Sequence, residues 1–373
     1  MPHLIRSCEG LITYLFQGIY DIQSSVVILP MNEITITRPD DWHAHFRDNE
    51  LLKETVSASA RQFSRSIVMP NLTPPVVNAK MAKAYEARIL AARPEGSDFT
   101  PLVTLYLTNV TTTDDIKDAK EQGILAAKLY PAGATTNSSS GVNDIEKMYP
   151  VFEVMAKNKM LLLIHGEVTD GEIDIFDREK VFIERYLEDI VKSFPDLKVV
   201  LEHITTKDAV DFVKGSSPNV AATLTPQHLM LNRNDLLVGG VKPHYYCLPI
   251  LKRNTHQKAL REAVISGSTK FFLGTDSAPH MKDQKESACG CAGCYSAPAA
   301  LELYTQVFDE LNALDKLEGF TSHHGADFYG LPRNTQKVTL VREAWTIPNE
   351  LEVVGSRVIV PFWAGNKVTW RLK

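Results

Sequence analysis

Leu161-Leu162-Leu163-Ile164-His165-Gly166-Glu167 is a short apolar run that ends abruptly on a histidine. An unbroken run of this length reads as a strand covered on both faces, as in parallel sheets, where the apolar–polar alternation of a half-exposed strand is lost. The same form recurs on either side. Val199–His203 is Val-Val-Leu-Glu-His, and Ala126–Tyr130 is Ala-Ala-Lys-Leu-Tyr with Lys128 inside it. Lys128, His165 and His203 are spaced 37 and 38 residues apart, close to one strand–helix unit each. Further strand candidates are Trp42–Phe46, Ser66–Met69, Leu102–Leu107, Val220–Thr225 and Lys270–Thr275. That makes eight strands.

Amphipathic helical patterns separate most of them, at Ala79–Ala92, Asp114–Gln122, Ile145–Lys157, Arg178–Ser193 and Asn254–Ser266. Thr112–Asp115 and Asn143–Glu146 read as helix starts, and Gly123 and Gly267 as helix ends. Strands alternating with helices pair in parallel through right-handed crossovers. Eight such units predict a closed (β/α)8 TIM barrel, an α/β fold, more than an open sheet. No glycine-rich phosphate loop follows the first strand, so a dinucleotide-binding sheet lacks its main signature. The tail Asn349–Lys373 returns to alternation at Arg357–Val360 and Lys367–Leu372, which predicts strands appended outside or below the barrel.

Composition agrees with a single large barrel: 373 residues, 44% hydrophobic and 23% charged. A net charge of −5 gives no basic footprint for nucleic acid or an anionic membrane, and no apolar run has the length of a membrane span. The five cysteines, three of them crowded at Cys289, Cys291 and Cys294, make a poor disulfide framework and predict a reducing, cytoplasmic setting. Residues 1–30 have neither a clean signal peptide nor an Arg-rich transit peptide. Met31 opens a segment with strand alternation, Asn-Glu-Ile-Thr-Ile-Thr. The expectation is an N-terminal extension over 1–30 outside the fold and a catalytic barrel over 31–373.

The polar residues decide the chemistry. His43 and His45, in Asp41-Trp-His-Ala-His-Phe-Arg-Asp48, share a strand face about 7 Å apart and could converge on a transition metal. Together with Lys128, His165, His203 and Asp276 they fall at or beyond the C-terminal ends of predicted strands, the edge on which barrel active sites are built. Singly each has a plain reading: a histidine satisfied by a strand-end carbonyl, an aspartate capping a turn, a lysine snorkelling at a rim. Four histidines, an aspartate and a lysine exceed one tetrahedral zinc and suit two metals sharing a bridge. An ammonium cannot ligate, but a neutral amine that captures CO₂ becomes a carbamate with two bridging oxygens. Arg47, two residues beyond His45, is expected on the same face, with a planar fork suited to a carboxylate. Ala134–Gly141 is small, polar and glycine-bounded, compatible with a lid or with an ordinary loop.

Nine stretches in chain order carry a resemblance. They are Asp41–Asp48, Val68-Met-Pro-Asn-Leu72, Ala127-Lys-Leu-Tyr-Pro-Ala-Gly-Ala-Thr-Thr-Asn137, His165-Gly-Glu-Val168, Glu202-His-Ile-Thr-Thr206, Thr225-Pro-Gln-His-Leu229, Tyr246-Cys-Leu-Pro-Ile-Leu-Lys252, Gly274-Thr-Asp-Ser-Ala-Pro-His280 and Cys289-Gly-Cys-Ala-Gly-Cys294. From about residue 33 onward the chain resembles the type II, bacterial class of dihydroorotases within the amidohydrolase superfamily. The resemblance implies a homodimeric barrel that reversibly cyclises N-carbamoyl-L-aspartate to L-dihydroorotate plus water, in de novo pyrimidine synthesis. It implies two zinc ions per subunit, with His43, His45 and Asp276 at one and His165 and His203 at the other. Carboxylated Lys128 and a hydroxide would bridge them, the hydroxide attacking the ring amide. Asp276 would carry the proton. His45, Arg47, Asn71, His165 and His280 would bind substrate together with backbone groups of Leu248 and Ala292, and Thr135 and Thr136 would sit on a closing lid. By the same resemblance the Cys289–Cys294 segment is a substrate-side turn, not a metal site. The rivals are a hydantoinase or allantoinase, which would need different substrate grips, and a non-catalytic assembly protein on the same scaffold, which would have lost ligands.

Overall fold

The computed structural model describes residues 32–288 and 290–373; the expected extension over 1–30, with Cys8, lies outside the described residues, as does Cys289. After an outer strand β1 (Glu33–Thr37), the barrel strands are β2 (Asp41–Ala44), β3 (Arg65–Val68), β4 (Thr100–Val103), β5 (Leu105–Tyr106), β6 (Ala126–Leu129), β7 (Leu161–Ile164), β8 (Val199–Leu201), β9 (Val220–Leu224) and β10 (Phe271–Leu273). Every expected strand forms within a residue or two. The third is broken in two at Thr104, whose amide and hydroxyl both donate to Val68 O, at 3.2 and 2.9 Å. Pairing is parallel throughout, in the orders β2-β3-β4 and β5-β6-β7-β8-β9-β10.

Closure comes from the two ends. The Asp276 amide donates to His43 O at 2.9 Å and the His45 amide to Ser277 O at 3.1 Å, with an Ala44–Ser277 bridge. Asp41 reinforces the seam, accepting from the Thr275 amide and hydroxyl at 2.9 and 2.7 Å. The strand residues of β6 through β10 are all buried, Lys128 and Thr223 included, as strands covered on both faces require.

Helices Ala79–Ala92 and Thr113–Glu121 stand where the periodicity places them, the latter with a Thr112–Asp115 capping box. Arg178–Ser193 is helical throughout, with a π segment at Ile183–Leu187. The start at Asn143 is a correction: the helical turn begins at Glu146 after an uncapped Ile145, and Asn143 stays in the loop, its amide bonded to Asn109 Oδ1 at 2.9 Å.

The N-terminal mouth of the barrel is plugged by aromatics. Trp42 stacks on Tyr329 at 4.3 Å and meets Phe272 edge-on at 6.3 Å. Gly325 lets its helix lie against the indole; a Cβ there would come within 2.0 Å of Trp42 Nε1.

Outside the barrel, β11 (Lys337–Val341) pairs antiparallel with β1, Glu33 opposite Val341. The tail adds β12 (Trp345–Thr346), the hairpin β13 (Leu351–Val354) and β14 (Arg357–Ile359), then β15 (Lys367–Val368) and β16 (Arg371–Leu372). The Lys367–Leu372 strand is thus two short strands, interrupted around the buried Trp370. Among the described residues, no helix is long and apolar enough to cross a membrane.

Candidate active site

Six polar side chains from five barrel segments meet at the C-terminal mouth. His43 lies in β2, His45 one residue past it, and Lys128 inside β6. His165, His203 and Asp276 lie one, two and three residues beyond β7, β8 and β10. All six are buried, at 0 to 8% exposure. His43, His45 and Asp276 each offer a ligand atom, all within 4.8 Å of one another. Asp276 Oδ1 is 3.0 Å from His45 Nε2 and 3.4 Å from His43 Nε2, and the two Nε2 atoms are 3.3 Å apart. The second half adjoins the first: His203 lies 5.0 Å from His43 and 4.8 Å from His165, ring centre to ring centre.

The neighbours assign the tautomers. Asn71 Nδ2 donates to Thr136 O at 3.0 Å, which turns Asn71 Oδ1 toward His45 Nδ1 at 2.8 Å. His45 Nδ1 therefore carries a proton and Nε2 is bare. The Glu202 carboxylate takes His43 Nδ1 at 2.9 Å, so His43 also presents a bare Nε2. Glu167 takes His165 Nε2 at 2.8 Å, leaving Nδ1. Two ring lone pairs and a carboxylate oxygen within 3.4 Å repel one another unless a cation lies among them, so this donor set fits a metal.

Burial, helped by the Lys128 charge, pushes His43 well below its ordinary value, toward the neutral form that ligates. Lys128 Nζ is buried with no hydrogen-bond partner, 5.2 Å from the centre of the Tyr130 ring. Burial lowers its pKa to about 8, although Glu202 and Asp276 pull the other way. A buried amine without a partner, its charged form disfavoured, beside three histidines and an aspartate is costly to keep as a plain ammonium.

Arg47 is at the site for a different reason from the expected one. The strand ends at Ala44, so alternation does not carry to residue 47, and Arg47 turns inward through a left-handed backbone at φ 60°. His203 at φ 41° and Asp276 at φ 45° share that uncommon conformation. Arg47 Nε donates to Pro279 O at 3.3 Å, while Nη1 is buried without a partner. His280 Nε2 lies 3.0 Å from both Arg47 Nη2 and Ala292 O. Burial and the Arg47 charge push its pKa down to about 2, so the ring is neutral.

Thr136 Oγ1 donates to the same Ala292 carbonyl at 3.2 Å, and Asn137 Nδ2 donates to Asn71 O at 3.1 Å. The Ala134–Gly141 loop thus rests on two of the expected substrate contacts. Thr135 instead braces its own turn, its amide bound to Ser138 Oγ at 2.8 Å. Leu248 packs its side chain on the apolar cluster around Cys247 and Leu251. In the cysteine-rich turn, the buried Lys285 Nζ bonds the Cys291 and Gly293 carbonyls at 2.8 and 2.6 Å.

Several residues at the site went unread as functional in the sequence. Glu167 and Glu202 adjoin the candidate ligands His165 and His203 in the motifs. Glu179 takes the Thr205 and Thr206 amides and hydroxyls just beyond His203. A buried Lys252 faces Glu167.

Residues 36–349 match the amidohydrolase family, and the chain belongs to it. Within that family it belongs with the dihydroorotases. It is 70% identical to the dihydroorotase of Pseudoalteromonas atlantica over 343 residues, 92% of this chain and all of the relative. Among solved structures, the Campylobacter jejuni dihydroorotase is 38% identical with a TM-score of 0.85, covering 92% of this chain and 98% of that one. The Saccharomyces cerevisiae dihydroorotase in complex with 5-fluoroorotic acid is 34% identical at the same TM-score, covering 92% and 99%.

Proposed function

We propose that this enzyme interconverts N-carbamoyl-L-aspartate and L-dihydroorotate plus water, a step of de novo pyrimidine synthesis, as a cytoplasmic homodimer with two zinc ions and a carboxylated Lys128 in each subunit. The observation that carries the substrate assignment is Arg47, a buried guanidinium with Nη1 unpaired beside the ligand cluster. A buried cation with a free donor calls for an anion, and its planar fork matches a carboxylate. The Saccharomyces cerevisiae relative is in complex with 5-fluoroorotic acid, a pyrimidine carboxylate, which supports that match.

His43, His45 and Asp276 would hold one zinc, His165 and His203 the other, with Lys128 as carbamate between them. Zinc there supplies Lewis acidity, making water acidic near neutral pH and drawing electron density from the amide carbonyl. The chain's own groups do the rest. Arg47 and the neutral His280 grip the carboxylate and set the ring's orientation. Asn71 and Ala292, already bonded to Thr136 and Asn137, let the loop cover the bound ring and exclude bulk water. In hydrolysis Asp276 accepts the proton of the attacking water and returns it to the departing ring nitrogen as the C–N bond breaks. In cyclisation the same proton moves in reverse and water leaves.

The deciding assay follows the ultraviolet loss of L-dihydroorotate with zinc-loaded protein, beside hydantoin and dihydrouracil, which lack the carboxylate. Turnover of dihydroorotate alone is expected. Turnover of the uncharged rings without dihydroorotate would assign a hydantoinase-type activity instead.

A further inference from the structure

Two glutamates at the barrel mouth have no part in the chemistry above, yet both are buried, Glu202 at 1% and Glu167 at 2% exposure. A buried carboxylate is costly unless its lone pairs are met. Each is met by one ring nitrogen of a candidate ligand, and the two rings are used in opposite senses. Glu202 occupies His43 Nδ1 at 2.9 Å and leaves Nε2 to the site; Glu167 occupies His165 Nε2 at 2.8 Å and leaves Nδ1.

Each carboxylate makes a second contact, although Oε1 of both lacks a hydrogen-bond partner. Glu202 Oε2 also accepts the Thr223 hydroxyl at 2.6 Å, and that hydroxyl accepts the His203 amide at 2.7 Å. One carboxylate is therefore keyed to the side chain of His43 and to the backbone of His203. Glu167 Oε1 faces Lys252 Nζ at 3.9 Å, and that buried ammonium donates to Ile250 O at 3.1 Å. Simple bracing explains this poorly, since a buried ion pair adds little net stability over apolar packing. A carboxylate on one imidazole nitrogen does something packing cannot: it fixes the tautomer and makes the other nitrogen a stronger ligand.

We infer that Glu202 and Glu167 are positioning residues, each setting the tautomer and aim of one histidine in a different half of the metal pair. Glu202 serves the half with His43, His45 and Asp276, and Glu167 the half with His165 and His203. The inference rests on the binuclear reading proposed above.

The test is graded zinc release from the holoenzyme to a coloured chelator, for the parent, Glu202→Gln, Glu167→Gln, the double variant and Lys252→Met. Thermal unfolding of each metal-stripped chain is recorded in parallel. Glutamine keeps the size and an acceptor oxygen but loses the charge. Each single variant is expected to hold one zinc about 10–100-fold less tightly and the other as the parent does. The double variant should lose both, Lys252→Met should follow Glu167→Gln in zinc retention, and the stripped glutamine variants should melt like the parent. Parent-like retention in both single variants overturns the inference. So does a fall in retention matched by a lower melt of the stripped chain, which would make the glutamates braces. If a glutamine variant does not fold, Glu→Asp at that position makes the same comparison, and it supports the role only if one ion alone is weakened. A parent that binds a single zinc would sink the binuclear reading by itself; weakened retention in Glu202→Gln would then keep the role of Glu202 and remove that of Glu167.

Discussion

Replacing Lys128 by Met should stabilise the metal-free protein, and zinc should cancel most of that advantage. The two side chains are close in length, so packing changes little. The Lys128 ammonium is fully buried, its Nζ has no partner, and its pKa falls from 10.5 to about 8. That drop corresponds to about 3 kcal/mol by which the folded barrel disfavours the charge. The folded value lies below the unfolded one, so the penalty is fully present below pH 8. It fades as pH rises from 8 to 10.5, where the unfolded chain also gives up its proton. In chelator at pH 7 the Met variant should be more stable by up to about 3 kcal/mol, an advantage that vanishes near pH 10.5. With zinc at about 100 times its dissociation constant, the parent gains about 2.7 kcal/mol that a chain without the bridging ligand forgoes. Urea unfolding at pH 7 and pH 10, with chelator and with zinc, measures all four quantities. A Met variant less stable than the parent in chelator, or an advantage unchanged at pH 10, would refute the burial argument. Equal stabilisation of both chains by zinc would refute the role of Lys128 as a ligand.

Other perturbations have defined outcomes. Asp276→Asn keeps the size but loses the base, and kcat for dihydroorotate should fall about 10²–10⁴-fold at full zinc content; a loss under tenfold would move the proton carrier elsewhere. Arg47→Lys exchanges a fork for a point charge, so KM should rise roughly 10–100-fold with kcat little changed, measured by initial rates. Gly141→Ala would put a Cβ 2.4 Å from Tyr130 O, so the Ala134–Gly141 loop must shift; hydrogen exchange over residues 133–141 should speed up and kcat/KM fall. Glu179→Leu strands two buried amides and two hydroxyls beyond His203, which should cost about 3–5 kcal/mol in urea unfolding.

Much of the barrel was legible from local pattern. Leu161–Ile164 and Val199–Leu201 are apolar throughout because parallel strands are covered on both faces, and that property is written residue by residue. The candidate ligands were legible for the same reason, since each interrupts or ends an apolar run at one edge of the sheet. The pairing of β1 with β11 was not, because its partners are 300 residues apart and neither strand is buried enough to stand out. Arg47 was placed at the site by an alternation that stops at Ala44; a left-handed backbone held by the surrounding loops aims it there instead. Glu167 and Glu202 stood in view beside His165 and His203, but nothing in a linear chain says which ring nitrogen a carboxylate will meet.

The amino-acid sequence by itself determined how many strand–helix units form, which way they wind, and that four histidines, a lysine and an aspartate gather at one rim. These follow from periodicity and propensity, which act over a few residues. Only the tertiary structure decided that His43 leans on Glu202, that His45 leans on an Asn71 already bonded to the Ala134–Gly141 loop, and that Arg47 keeps a donor free. Each depends on distances between strands remote in the chain, and at the buried mouth of a barrel a few tenths of an ångström separate a hydrogen bond from an unpaired group.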